Sequence, residues 1–303
     1  MTATWRRAWV AAVRARDWSR GHPTAWRAVR DGLSLVGGGV LVLLAIAAPG
    51  TDSHAYWVFD ASAPYRASMT ALGQHDAFFY APPVALFFLP FHLLPWPAFR
   101  VLWLLIEFGA LLAVSRSWAL ALVALYPVAL ELSAGNVDLV LALIAAFGLR
   151  YPALWSVVLL TKVTPGIGLI WFAVRREWRS LGVVLLATSA IALVSAALAP
   201  TWWPQWIAAL ASNVAVTPPA TAPHLPVPLS VRLVTAAVVV AWGARGGRRW
   251  TIPVAVTLAL PELWIAGLSV LVGCLPLLGD GHGARGAGLL QSTSRDPSPA
   301  HGA

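Results

Sequence analysis

Charged residues are scarce in this sequence of 303 amino acids, at 11% of the chain, whereas 59% of its residues are hydrophobic. The mean hydropathy is +0.73. A soluble domain of this length needs far less apolar sequence to build its core, so the composition argues against the soluble globular class. We therefore expect a lipid bilayer to surround the chain.

Cysteine is almost absent, because Cys274 is the only one. A single cysteine excludes a disulfide within the chain, and its apolar neighbours argue against a thiolate nucleophile, so we interpret it as a packing residue. The spacing of His54, His75, His92 and His224 is not that of a metal site. We predict no metal and no cofactor.

The glycine-rich motifs of nucleotide-binding proteins are also missing. There is no P-loop, dinucleotide fingerprint or G-x-S-x-G elbow, and no D-x-D pair that would hold a metal-bound nucleotide sugar. The formal net charge is +9, but the arginines cluster between apolar segments instead of forming one stripe. We predict no nucleic-acid partner and interpret these arginines through membrane topology.

Ten apolar segments predict an all-α, polytopic transmembrane bundle with an amphipathic first outer loop. Several segments are shorter than the ~20 residues of a full crossing, so some are expected to be tilted, broken or re-entrant. Such breaks are tolerated where they are buried in protein or line a wet cavity. The segments are 32–49, 97–115, 117–131, 137–149, 151–161, 163–174, 180–199, 229–244, 250–260 and 263–279.

The transmembrane domain, 32–279, is flanked by two further regions. Residues 1–31 form an arginine- and tryptophan-rich segment predicted to be cytoplasmic, and the Gly/Ser/Pro-rich residues 280–303 are predicted to be a disordered cytoplasmic tail. With the N-terminus inside, alternation puts the later arginine runs in the cytoplasm, as the positive-inside rule requires. Loops 50–96 and 200–228 then lie outside, and we expect a multi-pass plasma-membrane protein.

Two charged residues stand out on the predicted outer face. Asp52 follows the first span by two residues and is positioned either to accept a proton or to be a solvated acid or cap of the next short helix. Lys162 is the only lysine of the chain and interrupts an apolar stretch. It is expected either to bind an anionic ligand such as a lipid phosphate or to snorkel to the headgroups.

Four polar residues fall within or near the predicted spans. Glu131, Asn136 and Asp138 flank a break at 133–135, and Glu107 lies inside an apolar span. Because polar groups in a bilayer need partners, we expect these residues to pair with one another or with backbone.

Several separated strings follow one another in a recognisable order. They are Asp52-x-x-x-Tyr56-Trp57, Phe79-Tyr80-Ala81-Pro82-Pro83, Gly135-Asn136-Val137-Asp138 and Lys162-Val163-Thr164-Pro165. Over roughly residues 30–270 the chain resembles glycosyltransferase family 87. That family includes polyprenyl-phosphate-mannose-dependent α-1,2-mannosyltransferases, which are multispanning enzymes of GT-C type.

The resemblance implies a function and a set of site residues. It implies transfer of a hexosyl, specifically a mannosyl, unit from a polyprenyl-phosphate-sugar donor to a glycolipid or glycan acceptor on the outer face. The family's acidic catalytic base is matched by Asp52. A single inverting displacement of a phosphate leaving group would need no metal. We assign substrate binding to Lys162, Tyr56, Tyr80, Asn136, Arg66 and Glu262.

Two alternatives remain open at this stage. A transporter or lipid flippase also has broken helices and polar groups at membrane depth. A non-catalytic family member that binds polyprenyl lipid is the other alternative. It is suggested by Leu260-Pro261-Glu262-Leu263-Trp264, where family members tend to carry a Ser-Pro-x-Ser-Trp string followed by a histidine.

Overall fold

The computed structural model describes residues 23–70, 76–213 and 225–278. Within them, 78% of the residues are helical and no β-strand is present. The α-helices are α1 Pro23–Ala47, α2 Thr51–Val58, α3 Arg66–Thr70, α4 Pro82–Phe88, α5 Trp96–Ser115, α6 Ala119–Val123, α7 Tyr126–Ala134, α8 Asp138–Phe147, α9 Trp155–Thr161, α10 Ile170–Val174, α11 Trp178–Leu198, α12 Trp202–Asn213, α13 Leu229–Arg245 and α14 Thr251–Leu258.

Tighter 3-10 helices connect several of these elements. They are Leu89–Leu93, Arg116–Trp118, Pro152–Leu154, Thr164–Leu169 and Ala266–Leu277. The predicted C-terminal tail, most of the predicted N-terminal segment, His75 and His224 lie outside the described residues.

Three helical stretches are long and apolar enough to cross a bilayer: Pro23–Val58, Trp96–Val123 and Trp178–Leu198. Helices α7 and α8 together form a fourth candidate, which is bent by 114°. Each of the ten apolar segments contains a helix, but three or four candidate spans do not confirm a count of ten crossings. Most of the other apolar segments are helices too short to cross alone.

The breaks between helices have causes in the sequence. Gly50 precedes α2 with φ 60° and Gly135 follows α7 with φ 72°, a left-handed backbone conformation that glycine adopts without steric cost. Pro165 lies in the 3-10 segment after α9, where its missing N–H ends regular helix. At these three places, among others, the chain stops being α-helical within its apolar sequence.

These breaks are joined to one another by hydrogen bonds. The Gly50 N–H donates to the Ser133 carbonyl at 3.0 Å, and the Ala81 N–H donates to the Leu160 carbonyl at 3.0 Å. The Trp103 indole donates to the Gly135 carbonyl at 2.8 Å. Backbone groups that the broken helices leave unpaired thus find partners inside the protein, as a bilayer environment requires.

The loop 50–96, predicted to lie outside, packs onto the bundle through one face of α4. Ala85 and Phe88 are buried, whereas the neighbouring Phe87 is 57% exposed, so this short helix is amphipathic. The Phe88 ring stacks on Tyr56 of α2 with centroids 4.8 Å apart. This aromatic contact fixes α2 against the loop that follows it.

The loop 200–228, also predicted to lie outside, begins as a helix, α12. The Trp206 indole of α12 donates to the Phe79 carbonyl at 2.9 Å and so joins this loop to the loop 50–96. Residues 214–224 of this loop lie outside the described residues. The N–H of Leu225 donates to the Leu263 carbonyl at 2.8 Å.

Candidate active site

Helix α2 positions the predicted base. Asp52 lies in its first turn and Tyr56 one turn later, so the two side chains share a face of the helix. Asp52 is half-buried, and its carboxylate interacts electrostatically with Lys162 and Asp138, which belong to distant parts of the sequence. Folding therefore brings the predicted base and the predicted phosphate-binding lysine into one site.

Three of the assigned binding residues form a hydrogen-bonded chain. The Tyr56 and Tyr80 hydroxyl oxygens are 2.9 Å apart, and the Tyr80 hydroxyl donates to Oδ1 of Asn136 at 3.0 Å. The Val137 N–H donates to the same Oδ1 at 2.7 Å, which fixes the Asn136 side chain at the bend between α7 and α8. Burial raises the pKa of Tyr80, so its phenol remains protonated and available as a donor.

Lys162 already has a partner in the protein. Its Nζ lies 2.6 Å from Oδ1 of Asp138, and the two side chains are 14% and 5% exposed. The Asp138 N–H donates to Oε1 of Glu131 at 2.7 Å, which confirms the predicted pairing of Glu131 and Asp138. From the sequence, both Asp138 and Lys162 were expected beside helix breaks near the predicted outer face. That shared position was the only feature of the sequence analysis from which their ion pair could have been predicted.

Glu107 differs from the expectation that it would be paired. It is fully buried, and neither carboxyl oxygen has a hydrogen-bond partner among the described residues. A cavity of about 10 Å³ lies beside it, lined also by Gly50, Ser53 and Gly135, and is about the size of one water. Glu107 of α5 therefore faces this small space instead of a polar side chain.

Around the ion pair of Lys162 and Asp138, acidic side chains outnumber basic ones among the described residues. Asp52, Glu107, Glu131 and Asp138 interact electrostatically with one another, and Lys162 is the one basic side chain shown to interact with them. We refer to Asp52, Tyr56, Tyr80, Asn136, Asp138 and Lys162 as the polar site.

Two of the assigned residues lie at the surface. Nη1 of Arg66 is 4.0 Å from Oδ2 of Asp60, and the Arg66 side chain is 71% exposed. Glu262 is exposed and interacts electrostatically with Arg232. The buried Arg232 guanidinium donates to three carbonyl oxygens around the turn that carries Glu262, those of Leu258, Leu260 and Pro261, and to the Val227 carbonyl before α13.

The fold and the site together define a class of protein: an apolar helical bundle with a polar site at the junction of its broken helices. The sequence profile of glycosyltransferase family 87 matches residues 78–278, and the chain belongs to this family. It is therefore a membrane glycosyltransferase. The matched range contains Tyr80, Asn136 and Lys162 and begins after Asp52. No curated protein and no solved structure matches the chain.

Proposed function

We propose that the protein transfers a hexosyl, specifically a mannosyl, unit from a polyprenyl-phosphate-sugar donor to a hydroxyl group of a glycolipid or glycan on the outer face of the plasma membrane. The observation that carries this proposal is that folding brings the Asp52 carboxylate within electrostatic range of the Lys162–Asp138 ion pair. This arrangement combines a proton acceptor and a cation at the junction of broken helices, the two groups that transfer from a sugar phosphate requires.

The proposed reaction is one inverting displacement. The acceptor hydroxyl oxygen attacks the anomeric carbon while the bond from that carbon to the phosphate oxygen breaks. The hydroxyl proton passes to Asp52, and the electron pair of the broken bond leaves with the phosphate, whose charge Lys162 offsets. Polyprenyl phosphate is a stable anion once released, so the mechanism needs no metal, and inversion in one step needs only one carboxylate.

The hydrogen-bonded chain of Tyr56, Tyr80 and Asn136 supplies neutral groups suited to the sugar. Phenol and amide groups both donate and accept hydrogen bonds, as sugar hydroxyls do. Because burial keeps the Tyr80 phenol protonated, it does not compete with Asp52 for the proton of the acceptor. We assign these three side chains to orientation of the donor sugar.

Transfer from radiolabelled polyprenyl-phosphate-mannose by the purified protein in lipid nanodiscs tests the proposal. Asp52→Asn keeps the size and most hydrogen bonding of the side chain but cannot accept a proton, so the rate should fall by roughly 10²- to 10⁴-fold. The control is Asp31→Asn, because Asp31 is 63% exposed on α1 and pairs with Arg30. Near-normal turnover of Asp52→Asn would remove Asp52 from the mechanism.

The same purified protein, reconstituted into proteoliposomes, separates the two alternatives. The bend between α7 and α8 also occurs in transporters, so movement of the intact donor across proteoliposomes without sugar transfer would favour a flippase. If the protein binds polyprenyl phosphate but transfers sugar neither from the mannose donor nor from donors that carry other hexoses, a non-catalytic member would be favoured. Transfer from a donor with a different hexose would keep the mechanism and change only the sugar.

A further inference from the structure

The ammonium group proposed to bind the donor phosphate is occupied in the folded protein. Lys162 and Asp138 form an ion pair of 2.6 Å in which both side chains are largely shielded from solvent. A phosphate that approaches Lys162 therefore meets a cation already neutralised by a carboxylate. The two anions compete for one ammonium.

Asp138 is the fixed member of this pair. It is the first residue of α8, its N–H is held by Glu131, and its Oδ2 lies 3.5 Å from where a Cβ on Gly267 would be. Lys162 has a flexible four-carbon stem and lies at the break after α9, where the chain is extended. The lysine side chain can turn to a ligand more easily than Asp138 can move.

The surrounding charges make this competition strong. Lys162 also interacts electrostatically with Glu131 and Asp52. Electrostatic interactions are stronger in such a shielded site than in water, so a second anion beside Asp138 is opposed unless Lys162 turns towards it. The carboxylate thus opposes phosphate binding while it stabilises the empty site.

We infer that Asp138 is the counter-ion of Lys162 in the resting enzyme, and that the donor phosphate displaces Asp138 from Lys162 on binding. This inference rests on the proposed function, in which Lys162 binds the donor phosphate. Asp138 lowers the affinity of the site for phosphate, and its ion pair with Lys162 forms again when the product leaves. It is a positioning residue that sets affinity and product release, and it makes no bond to the reacting atoms.

The difference in charge between donor and product means that Asp138 disfavours binding of one more than the other. The donor is a phosphodiester with one negative charge, whereas the product, polyprenyl phosphate, is a monoester with a charge of about −1.5 to −2 at pH 7. Repulsion by Asp138 therefore acts more strongly on the product than on the donor. Without Asp138, the product should bind tightly and inhibit.

Asp138→Asn tests the inference in the transfer assay, with Asp31→Asn as the matched control. We expect the donor KM to fall by about tenfold, and the inhibition constant of added polyprenyl phosphate to fall further, by about thirtyfold or more. Asp138→Glu, which keeps the charge, should restore values nearer to those of the wild type. An unchanged or higher KM and inhibition constant in Asp138→Asn would overturn the inference, because Asp138 would then only orient Lys162.

A melting experiment tests the same point without catalysis. Asp138→Asn leaves a buried cation unpaired and should melt lower than the wild type, and polyprenyl phosphate should stabilise this variant more than the wild type. Polyprenol and inorganic phosphate, added separately, distinguish tail from headgroup binding. Equal stabilisation of the two proteins by polyprenyl phosphate would refute competition even if transfer is normal. Greater stabilisation of the variant would support it even if no sugar is transferred.

A double variant covers the case in which Asp138→Asn does not fold. Lys162→Met with Asp138→Asn removes both charges and leaves no cation unpaired. Relative to Lys162→Met alone, the added Asp138→Asn change should strengthen polyprenyl-phosphate binding by about fivefold or more, because it removes a carboxylate that repels the phosphate. Unchanged or weaker binding would mean that Asp138 does not oppose the phosphate, and would overturn the inference.

Discussion

Gly135, in its left-handed conformation at the end of α7, lies directly against Ser53 of α2. A Cβ at position 135 would be 2.7 Å from the Ser53 Cβ and closer still to Oγ. This contact sets the distance between α2, which carries Asp52, and the bend between α7 and α8, which carries Asn136 and Asp138.

Gly135→Ala should therefore disturb the active site as well as the fold. The left-handed backbone conformation and the clash with Ser53 together should lower the free energy of unfolding by about 2 kcal/mol or more. The displaced α2 should reduce transfer further, because Asp52 moves away from Lys162. Thermal melting and the transfer assay measure the two effects. Gly109→Ala on α5 is the control, since a Cβ there meets nothing within 4 Å, and equal behaviour of both variants would contradict the prediction.

Lys162→Met tests the lysine of the polar site directly. Loss of the ammonium should lower kcat/KM for the donor by about tenfold or more, as a rise in KM if the cation acts mainly on the bound donor and as a fall in kcat if it acts mainly on the leaving group. Lys162→Arg should restore activity only in part, because a planar guanidinium does not replace a compact ammonium. Arg150→Met, at an exposed residue that packs on Tyr151, controls for the loss of charge. Unchanged donor kinetics in both lysine variants would exclude Lys162 from phosphate binding.

Tyr80→Phe removes the central hydroxyl of the hydrogen-bonded chain. The variant leaves the buried Tyr56 hydroxyl with only a 3.5 Å contact to Asn136, which should cost about 1–2 kcal/mol of stability. In a double-mutant cycle with Tyr56→Phe, the two changes should be non-additive by about 0.5–1.5 kcal/mol. Tyr126→Phe, at a residue that is 62% exposed, should have no effect. Additive losses would show that the two hydroxyl groups are not coupled.

Glu107→Leu should make the protein more stable. A buried carboxyl group without a hydrogen-bond partner carries a desolvation cost of about 1–3 kcal/mol, and leucine removes this cost within an apolar helix. The measurement is the midpoint of thermal unfolding in detergent, with Glu177→Gln at a partly exposed residue as the control. A lower midpoint would mean that Glu107 holds a water in the neighbouring cavity.

The predicted topology can be tested with two exposed serines. In a Cys274→Ser background, Ser62→Cys in the first outer loop should react with an impermeant maleimide in intact cells, and Ser117→Cys should not. Both side chains are exposed at the protein surface. Labelling of Ser117→Cys after the cells are permeabilised shows that lipid does not shield it, so the difference in intact cells then reports the side of the membrane. Labelling only at 117 would reverse the orientation.

Asp60, another acid of the loop 50–96, can be compared with Asp52 as a candidate base. The hydroxyl and backbone N–H of Ser62 hold the pKa of Asp60 below its usual range, and the nearby Arg66 acts in the same direction. A carboxylate with a lowered pKa is a weaker base. Asp60 is therefore a poorer proton acceptor for the acceptor hydroxyl on electrostatic grounds, which is consistent with the proposed use of Asp52.

Composition and local pattern determined much of this protein. The abundance of apolar residues and the segments punctuated by glycine and proline predicted an all-helical membrane protein, and the separated strings around Tyr80, Asn136 and Lys162 predicted the family. These features depend on short-range chemistry: apolar runs of helical length, the backbone freedom of Gly135 and the fixed φ of Pro165. They are therefore readable from one sequence.

The tertiary structure decided which polar groups meet. Sequence patterns placed Asp138 and Lys162 near the same membrane face but could not show that their side chains lie 2.6 Å apart, because that distance depends on how α8 and α9 pack. For the same reason they could not show that Glu107 lacks a partner, or that α7 and α8 bend by 114° instead of forming separate crossings. Hydropathy records the preference of each segment for lipid, whereas contacts between distant segments arise only when the helices pack.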